Sequence, residues 1–390
     1  MKYQSQRERN FFKQIVYGSI WKILSIVNKF SKHNDHIIMF YDRSPFLEAD
    51  NNYVLYKYLV ENKYNDRYKI IVVDTEYKTN RKEAPKNVIY TSASMGHLYF
   101  IKAKYVFYRA NTLPIAFADD QVTVQLWHGS PFKGADKGQN RTDGWVNPYI
   151  KHFLSASECF NDLWSKVFSI PVNRIIVSGA PRLDLLKQNV IYGELRKYSK
   201  VILWVPTYRK RLNGTKEIQG STIVPILKEE DYSTMNEYLK ERNIKLIIKL
   251  HPQQSLENYT GVIYDNLELL SHAEFVKRKW NVYHLMAQCD AMITDYSNIF
   301  YDYMLLNRPI GFTEDDMDDY GSTRGFAVEN PESIKAGMKI HNTEEFQKFI
   351  HDIHMGIDSF KEERENVNKL VNQYQGKSNC AKILDILDIR

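Results

Sequence analysis

The chain has 390 residues, 43% apolar and 26% charged, with a formal net charge of +6 and three cysteines; its length suits about two domains with room for sizeable cores. Cys159, Cys289 and Cys380 are odd in number, far apart and without a C-x-x-C pair. That excludes a disulfide framework and a cysteine-based zinc or iron–sulfur centre, and favours a reducing compartment.

Residues 1–33 hold seven basic groups (Lys2, Arg7, Arg9, Lys13, Lys22, Lys29, Lys32) against Glu8, which is the whole net excess. A neutral body with a basic arm points to an anionic surface touched by the arm, and away from a nucleic-acid partner. At helical spacing Phe11, Phe12, Ile15, Val16, Ile23, Ile26, Val27 and Phe30 fall on one broad side. Gln14, Ser25 and Asn28 lie opposite, Lys22 and Lys29 near one edge, and Trp21 outside the apolar arc in an interfacial position. No run of about 20 uncharged apolar residues spans a bilayer, and Lys13 and Lys22 interrupt any signal-peptide core. The segment 1–33 is expected to associate with an anionic membrane surface; an ordinary helix packed on the first domain is the open alternative.

From residue 34 short β-branched or aromatic runs alternate with amphipathic stretches, the pattern of an α/β fold with mostly parallel sheets. Strands are predicted at His36–Tyr41, Tyr68–Asp74, Val88–Thr91, Tyr105–Arg109 and Val122–Leu126, with helices at Asn51–Glu61 and Ser94–Ala103. A second set comprises Arg174–Val177, Val201–Val205, Lys245–Leu250, Ala291–Ile293 and a last strand, Pro309–Phe312, with a helix at Ile299–Leu306. The chain reads as largely helical from Thr343 onward. The expected architecture is two Rossmann-like domains facing across a cleft, one over 34–178 and one over 179–390 with closing helices.

Ligands of such sheets bind beyond the carboxyl ends of strands, and that is where the polar motifs fall. Trp127-His128-Gly129-Ser130-Pro131 ends one strand in a turn that aims an imidazole outward, with Lys133 and Lys137 close behind. Lys249-Leu250-His251-Pro252 puts a cation and a second imidazole at another strand end. Asp295-Tyr296-Ser297-Asn298 precedes a helix, so Ser297 or Asn298 is expected to cap it, with phosphate held on its free N–H groups. Thr207 with Arg209, and Arg182 within Gly179-Ala180-Pro181-Arg182-Leu183-Asp184, put arginines just past strand ends, where each suits a phosphate or, for Arg182, Asp184. Arg324 follows an acidic loop, Glu314 to Asp319. No spacing calls for a metal or cofactor, although that loop is compatible with a divalent ion. P-loop, G-x-G-x-x-G, H-E-x-x-H and G-x-S-x-G motifs are absent.

Together these motifs resemble the CDP-glycerol glycerophosphotransferase family, the bacterial teichoic acid primases and polymerases. Gln125–Pro131 looks like Q-x-W-H-G-T-P, Gly179–Asp184 like G-x-P-R-x-D, Pro206–Arg209 like P-T-[WY]-R, and His251-Pro252 like the family's second histidine. Thr294–Tyr303 is similar to T-D-Y-S-S-x-x-F-D-[FY], and Arg324-Gly325-Phe326 to R-G-F. The resemblance implies a GT-B-like fold, a CDP-activated polyol phosphate donor, and a lipid-linked acceptor at the cytoplasmic face of the bacterial membrane, where the enzyme is peripheral. It implies His128 as base on the acceptor hydroxyl and His251 at the pyrophosphate. Donor phosphates would then lie at Ser297, Asn298 and Arg324, joined by Thr207, Arg209, Arg182 and Asp295, with Gly129, Ser130 and Lys133 on the acceptor side. Ser130 and Asn298 stand where the family has Thr and Ser, which leaves glycerol (CDP-glycerol) or ribitol (CDP-ribitol) open. The short chain suits a primase, short-chain transferase or capsule enzyme more than a long polymerase. The acceptor expected is undecaprenyl-linked; the oligomeric state stays open. Outside this reading stand a nucleotide-sugar glycosyltransferase and a non-catalytic binding module.

Overall fold

The computed structural model describes residues 18–42, 50–109, 113–132, 146–207, 224–251, 264–314, 327–328 and 330–390. The chain divides into two compact units: Met1–His128 with Arg141–Asp184 and Gly376–Arg390, and Gly129–Asn140 with Leu185–Gln375.

In the first unit a helix over residues 18–30 (α1) leads into β1 (Asn34–Tyr41), α2 (Asn51–Glu61), β2 (Lys69–Val73), α3 (Tyr77–Asn80), β3 (Val88–Thr91), α4 (Ala93–Phe100) and β4 (Ala103–Tyr108). β5 (Val122–Gln125), β6 (His152–Ser155), α5 (Asn161–Phe168) and β7 (Ile175–Val177) complete it. The strands form one sheet in the order β3-β2-β1-β4-β5-β6-β7, every neighbouring pair parallel. Parallel strands are covered on both faces, so β1 and β2 read as unbroken apolar runs and Ile38, Met39, Phe40, Ile70, Ile71 and Val72 are fully buried.

The second unit has β8 (Lys200–Val205), α6 (Tyr232–Glu241), β9 (Ile244–Lys249), β10 (Leu267–Leu270), α7 (His272–Lys277), α8 (Val282–Gln288), β11 (Ala291–Thr294), α9 (Ile299–Tyr303), β12 (Ile310–Thr313), β13 (Met338–Ile340), α10 (Thr343–Met355) and α11 (Lys361–Val371). Its sheet, also all parallel, runs β10-β9-β8-β11-β12-β13. Alternate residues Leu246, Ile248 and Leu250 join Ile202, Trp204 and Ile293 in a core under α6 and α10. Pro309–Phe312 was expected to be the last strand, and the helix 94–103 to run through Ala103. Instead β13 follows, and Ala103 opens β4.

The last helix, α12 (Asn379–Ile386), returns to the first unit, where it packs on α2. The expected division at 178/179 therefore shifts: residues 18–33, 179–184 and 376–390 belong to the first unit and residues 129–132 to the second. Asp184 anchors the return. Its carboxylate accepts from Ser378 Oγ (2.9 Å), Asn379 N (2.7 Å) and Cys380 N (3.0 Å), satisfying donors at the start of α12. Gly179 leaves room beside it: a Cβ there would lie 2.0 Å from Asn379 Oδ1 and the Asn379 side chain would have to shift.

α1 docks by a side that combines Trp21 and Leu24 with Ser25 and Asn28. Asn28 is fully buried and donates to Ala116 O (2.9 Å) and Gln121 Oε1 (2.6 Å), while His33 contacts Asn28 Oδ1 (3.1 Å) and Asp120 (2.7 Å). Trp21, expected at an interface, packs with Leu24 against the body, its ring 4.5 Å from His97. The opposite side leaves Ile23 (60%), Ile26 (61%) and Phe30 (82%) exposed. Among the described residues no helix is long and apolar enough to cross a membrane.

Asp184→Ala removes all three acceptor contacts at the head of α12. It is expected to cost about 2 kcal/mol, read as a lower denaturant midpoint with an unchanged slope; an unchanged midpoint would show that the contacts contribute nothing.

Candidate active site

In the first sheet the strand order reverses between β1 and β4, where a doubly wound sheet opens beyond its carboxyl ends. Asp42 follows β1 and Arg109 follows β4. The Arg109 Nε lies 3.2 Å from Asp42 Oδ2, and its Nη1 donates to Asp50, the residue before α2. One guanidinium thus ties the ends of two strands to the head of a helix. Burial raises the Asp50 pKa; Arg109 opposes the rise, Asp42 adds to it and Arg182 opposes it.

Asn51, the first residue of α2, is 1% exposed. Its Nδ2 donates to Leu126 O (3.0 Å) and Trp127 O (2.9 Å), and its Oδ1 accepts from Arg182 N (3.1 Å). A single amide thereby joins the segment after β5 to the Gly179–Asp184 segment. Between those two carbonyls the chain makes an uncommon turn: Trp127 has φ +51°, a left-handed conformation that costs a bulky residue on the order of 1–3 kcal/mol. The indole is held by Phe168 at 4.9 Å, with Phe153 and Trp164 each at 6.1 Å. The turn delivers His128, whose ring lies 4.1 Å from that of Trp127 and which is open to solvent. Partial burial first, then the charges of Arg182 and Arg109, lower the His128 pKa below the ordinary histidine value of 6.5. The ring is therefore neutral at pH 7.

In the second sheet the order reverses between β8 and β11. Asp295, just past β11 and 1% exposed, accepts from Thr207 N at 3.1 and 2.9 Å on its two oxygens and from Thr207 Oγ1 at 2.8 Å. Thr294 Oγ1 donates to Val205 O (2.8 Å) across the same gap. Next along, Asn298 occupies the N-cap position of α9 without a side-chain capping bond. Its Nδ2 donates instead to Ser130 O (3.3 Å), and Tyr301 OH donates to Pro131 O (3.2 Å). Phe132 packs edge-on against Phe300 at 5.0 Å, and a Cβ on Gly129 would lie 2.2 Å from Asn298 Nδ2. His251 follows β9, half-buried.

Residues 23–388 match the family described as CDP-Glycerol:Poly(glycerophosphate) glycerophosphotransferase. The chain belongs to this family. It is 25% identical to the teichoic acid ribitol-phosphate polymerase TarK of Staphylococcus aureus over 83% of its own length, and spans 62% of that relative. It is also 25% identical to the teichoic acid poly(glycerol phosphate) polymerase of Bacillus spizizenii, over 96% of this chain and 94% of the relative. Its fold is similar to the solved wall teichoic acid polymerase TagF (TM-score 0.68, 19% identity, covering 100% of this chain and 98% of that one).

For a member of this glycerophosphotransferase family, the sequence motifs sort by unit. His128 and Arg182 fall in the first, with Arg109 and Asp50 beside them; His251, Thr207, Asp295, Ser297 and Asn298 fall in the second. Gly129 and Ser130, expected on the acceptor unit, pack in the second instead, because a residue without Cβ lets the Asn298 amide approach the chain there. The expected side-chain cap at Ser297 or Asn298 gives way, for Asn298, to this contact with Ser130. Asp295 and Thr207 bond to each other, so the Asp295 carboxylate positions the Thr207 turn. Lys133, Arg209 and Arg324 lie outside the described residues, as do residues 1–17. Among the described residues no group of three or more His, Cys, Asp or Glu is arranged to hold a metal. Sequence reasoning missed Asp42, Asp50, Asn51 and Arg109. The signal available was a D-N-N run heading a helix after a strand, and an arginine closing another strand.

Asn51→Ala strands the carbonyls of Leu126 and Trp127 beside a left-handed tryptophan. A stability loss on the order of 3 kcal/mol is expected, and in turnover assays a fall in kcat with KM little changed. A fall in KM-dependent terms alone would remove Asn51 from the support of His128.

Proposed function

We propose that the chain transfers glycerol phosphate from CDP-glycerol to a hydroxyl of an undecaprenyl-linked saccharide or polyol phosphate acceptor, releasing CMP, in cell-wall polymer synthesis. The observation that carries this reading is a solvent-facing histidine, His128, held neutral on a braced strand-end turn with two arginines near it. In the proposed step His128 takes the proton of the acceptor hydroxyl. The freed oxygen attacks the phosphorus bearing the glycerol, the bond from that phosphorus to the bridging oxygen breaks, and CMP leaves with the electron pair. His251 donates a hydrogen bond toward the departing diphosphate oxygens. Arg182, with Ser297, Asn298, Thr207, Arg209 and Arg324 of the second unit, carries the donor's negative charge, and Lys133 the acceptor's. A depressed histidine pKa makes a weak base in the free enzyme; donor phosphates cancel the arginine charges and restore its basicity once bound.

Ribitol phosphate transfer from CDP-ribitol is the second reading, favoured by one observation: the ribitol-phosphate and glycerol-phosphate polymerases match the chain at the same 25% identity. The membrane reading of the N-terminal arm is supported by α1, which buries Asn28 and exposes Ile23, Ile26 and Phe30 beside Lys22 and Lys29. We infer that this side lies in the interface of an anionic bilayer, at the cytoplasmic face where nucleotide-activated donors are available.

CMP release measured with each CDP-polyol separates the donors, and release from neither would end the proposal. His128→Ala is expected to lower kcat about 10³-fold with folding intact. In the wild type the acid limb of kcat/KM, which reports the free enzyme, should lie below pH 6.5, and the limb of kcat, which reports the complex, should lie higher. Replacing Ile23, Ile26 and Phe30 by Gln leaves the buried side of α1 untouched and should release the protein from anionic liposomes in flotation; undiminished binding would remove α1 as the anchor.

A further inference from the structure

We propose that Lys249 is an anion-binding residue of the second unit whose missing counter-charge is the diphosphate of the nucleotide-activated donor, a proposal that rests on the reading above. The argument starts from strand alternation. Leu246, Ile248 and Leu250 fill the core under α6, so Lys245, Ile247 and Lys249 face the other side of β9, and the same alternation carried one step further gives His251. The two lysines on that side have opposite circumstances. Lys245, at the amino end, is neutralised by Glu268 at 2.9 Å and donates to Asp265 O at 2.7 Å. Lys249, at the carboxyl end where ligands of parallel sheets bind, is half-buried over the face of Phe275, 4.8 Å from the ring centroid, with His272 near enough to feel its charge; among the described residues no carboxylate pairs with it.

Among the described residues of the second unit, the other buried and half-buried cations are matched. Arg278 meets Glu268 and Glu274, Lys335 meets Glu314 and Glu332, Arg364 meets Asp358, and Lys339 meets Glu332. Lys200 has Asp290, Arg242 the Tyr238 carbonyl, and Arg308 two carbonyls after α8. A ring face offsets part of the hydration a lysine loses, about 0.5–2 kcal/mol, but does not neutralise it. Burial holds the Lys249 pKa below the usual lysine range. Two residues along a strand is about 6.6 Å, so one diphosphate spans the reach of Lys249 and His251. His251 then serves the oxygens of the breaking bond and Lys249 the remaining charge, as a point cation.

The test is titration of the full chain, by calorimetry, with CDP-glycerol, CDP-ribitol and inorganic pyrophosphate, using wild type, Lys249→Met and Lys249→Arg. Met keeps the stem over Phe275 and removes only the charge. The expected result is an unchanged melting temperature for Lys249→Met, at least ten-fold weaker binding of pyrophosphate and of the donor, and near-wild-type binding by Lys249→Arg. Should Lys249→Met bind these anions like wild type, or should wild type bind none of the three, the proposal is overturned. Equal donor binding by wild type and Lys249→Met would remove Lys249 and leave the donor reading intact. Lys249-dependent pyrophosphate binding without any binding of a CDP-polyol would keep the anion site and remove the donor reading.

Discussion

Where a parallel sheet reverses its strand order, adjacent loops leave on opposite faces, and the chain beyond the strand ends loses its ladder partners. Each unit of this protein closes that gap with buried polar side chains. In the second, the Asp295 carboxylate just past β11 accepts from both the backbone and the side chain of Thr207 just past β8. In the first, Arg109 joins the ends of β1 and β4 through Asp42 and Asp50, and Asn51 extends the tie to the segment after β5. Any of these groups left unmatched in the interior would cost about 1–3 kcal/mol, so the strand ends cannot drift independently. A histidine mounted on such an end inherits a fixed position from partners far away in sequence.

The fixed position at His128 depends on strain being overruled. Trp127 in a left-handed conformation is unfavourable by itself, and neither the Asn51 bond nor the aromatic cluster alone would justify it. The two act on different ends of the residue: Asn51 holds its carbonyl, while Phe168, Phe153 and Trp164 hold its ring. Both ends are committed at the observed φ of +51°, and the next residue is turned out to solvent.

Much of this was legible before any coordinates. Central strands are unbroken apolar runs, so β2, β8 and β11 appear in the sequence within a residue or two, as does the edge strand β3, and α2 appears with its full bounds, Asn51–Glu61. The strands without such runs escaped: β6 (HFLS), the edge strand β10 (LELL) and the edge strand β13 (MKI) are too short to show a period. Motif positions at strand ends were readable because Gly, Pro and Asn punctuate them. Their partners were not, since the Asn51 amide meets carbonyls 75 and 76 residues away and Asp184 meets a helix nearly two hundred residues on. For the same reason the return of residues 376–390 to the first unit has no local signature: their helical pattern is the same whichever unit they join.

α1 poses a choice between two faces. Turned over, it would bury Ile23, Ile26 and Phe30, each side chain worth about 1.5–3 kcal/mol when fully buried. That orientation would also strip Asn28 and His33 of partners that only Ala116, Gln121 and Asp120 supply. Leaving Ala116 O and the Asn28 amide without these bonds would offset part of the gain. The balance changes beside a lipid surface. There the apolar side is desolvated without turning, Lys22 and Lys29 meet the headgroups, and the hydrogen bonds to the body are all retained. Under the membrane proposal, a lipid surface would cover the apolar side of α1 that the body of the first unit leaves exposed.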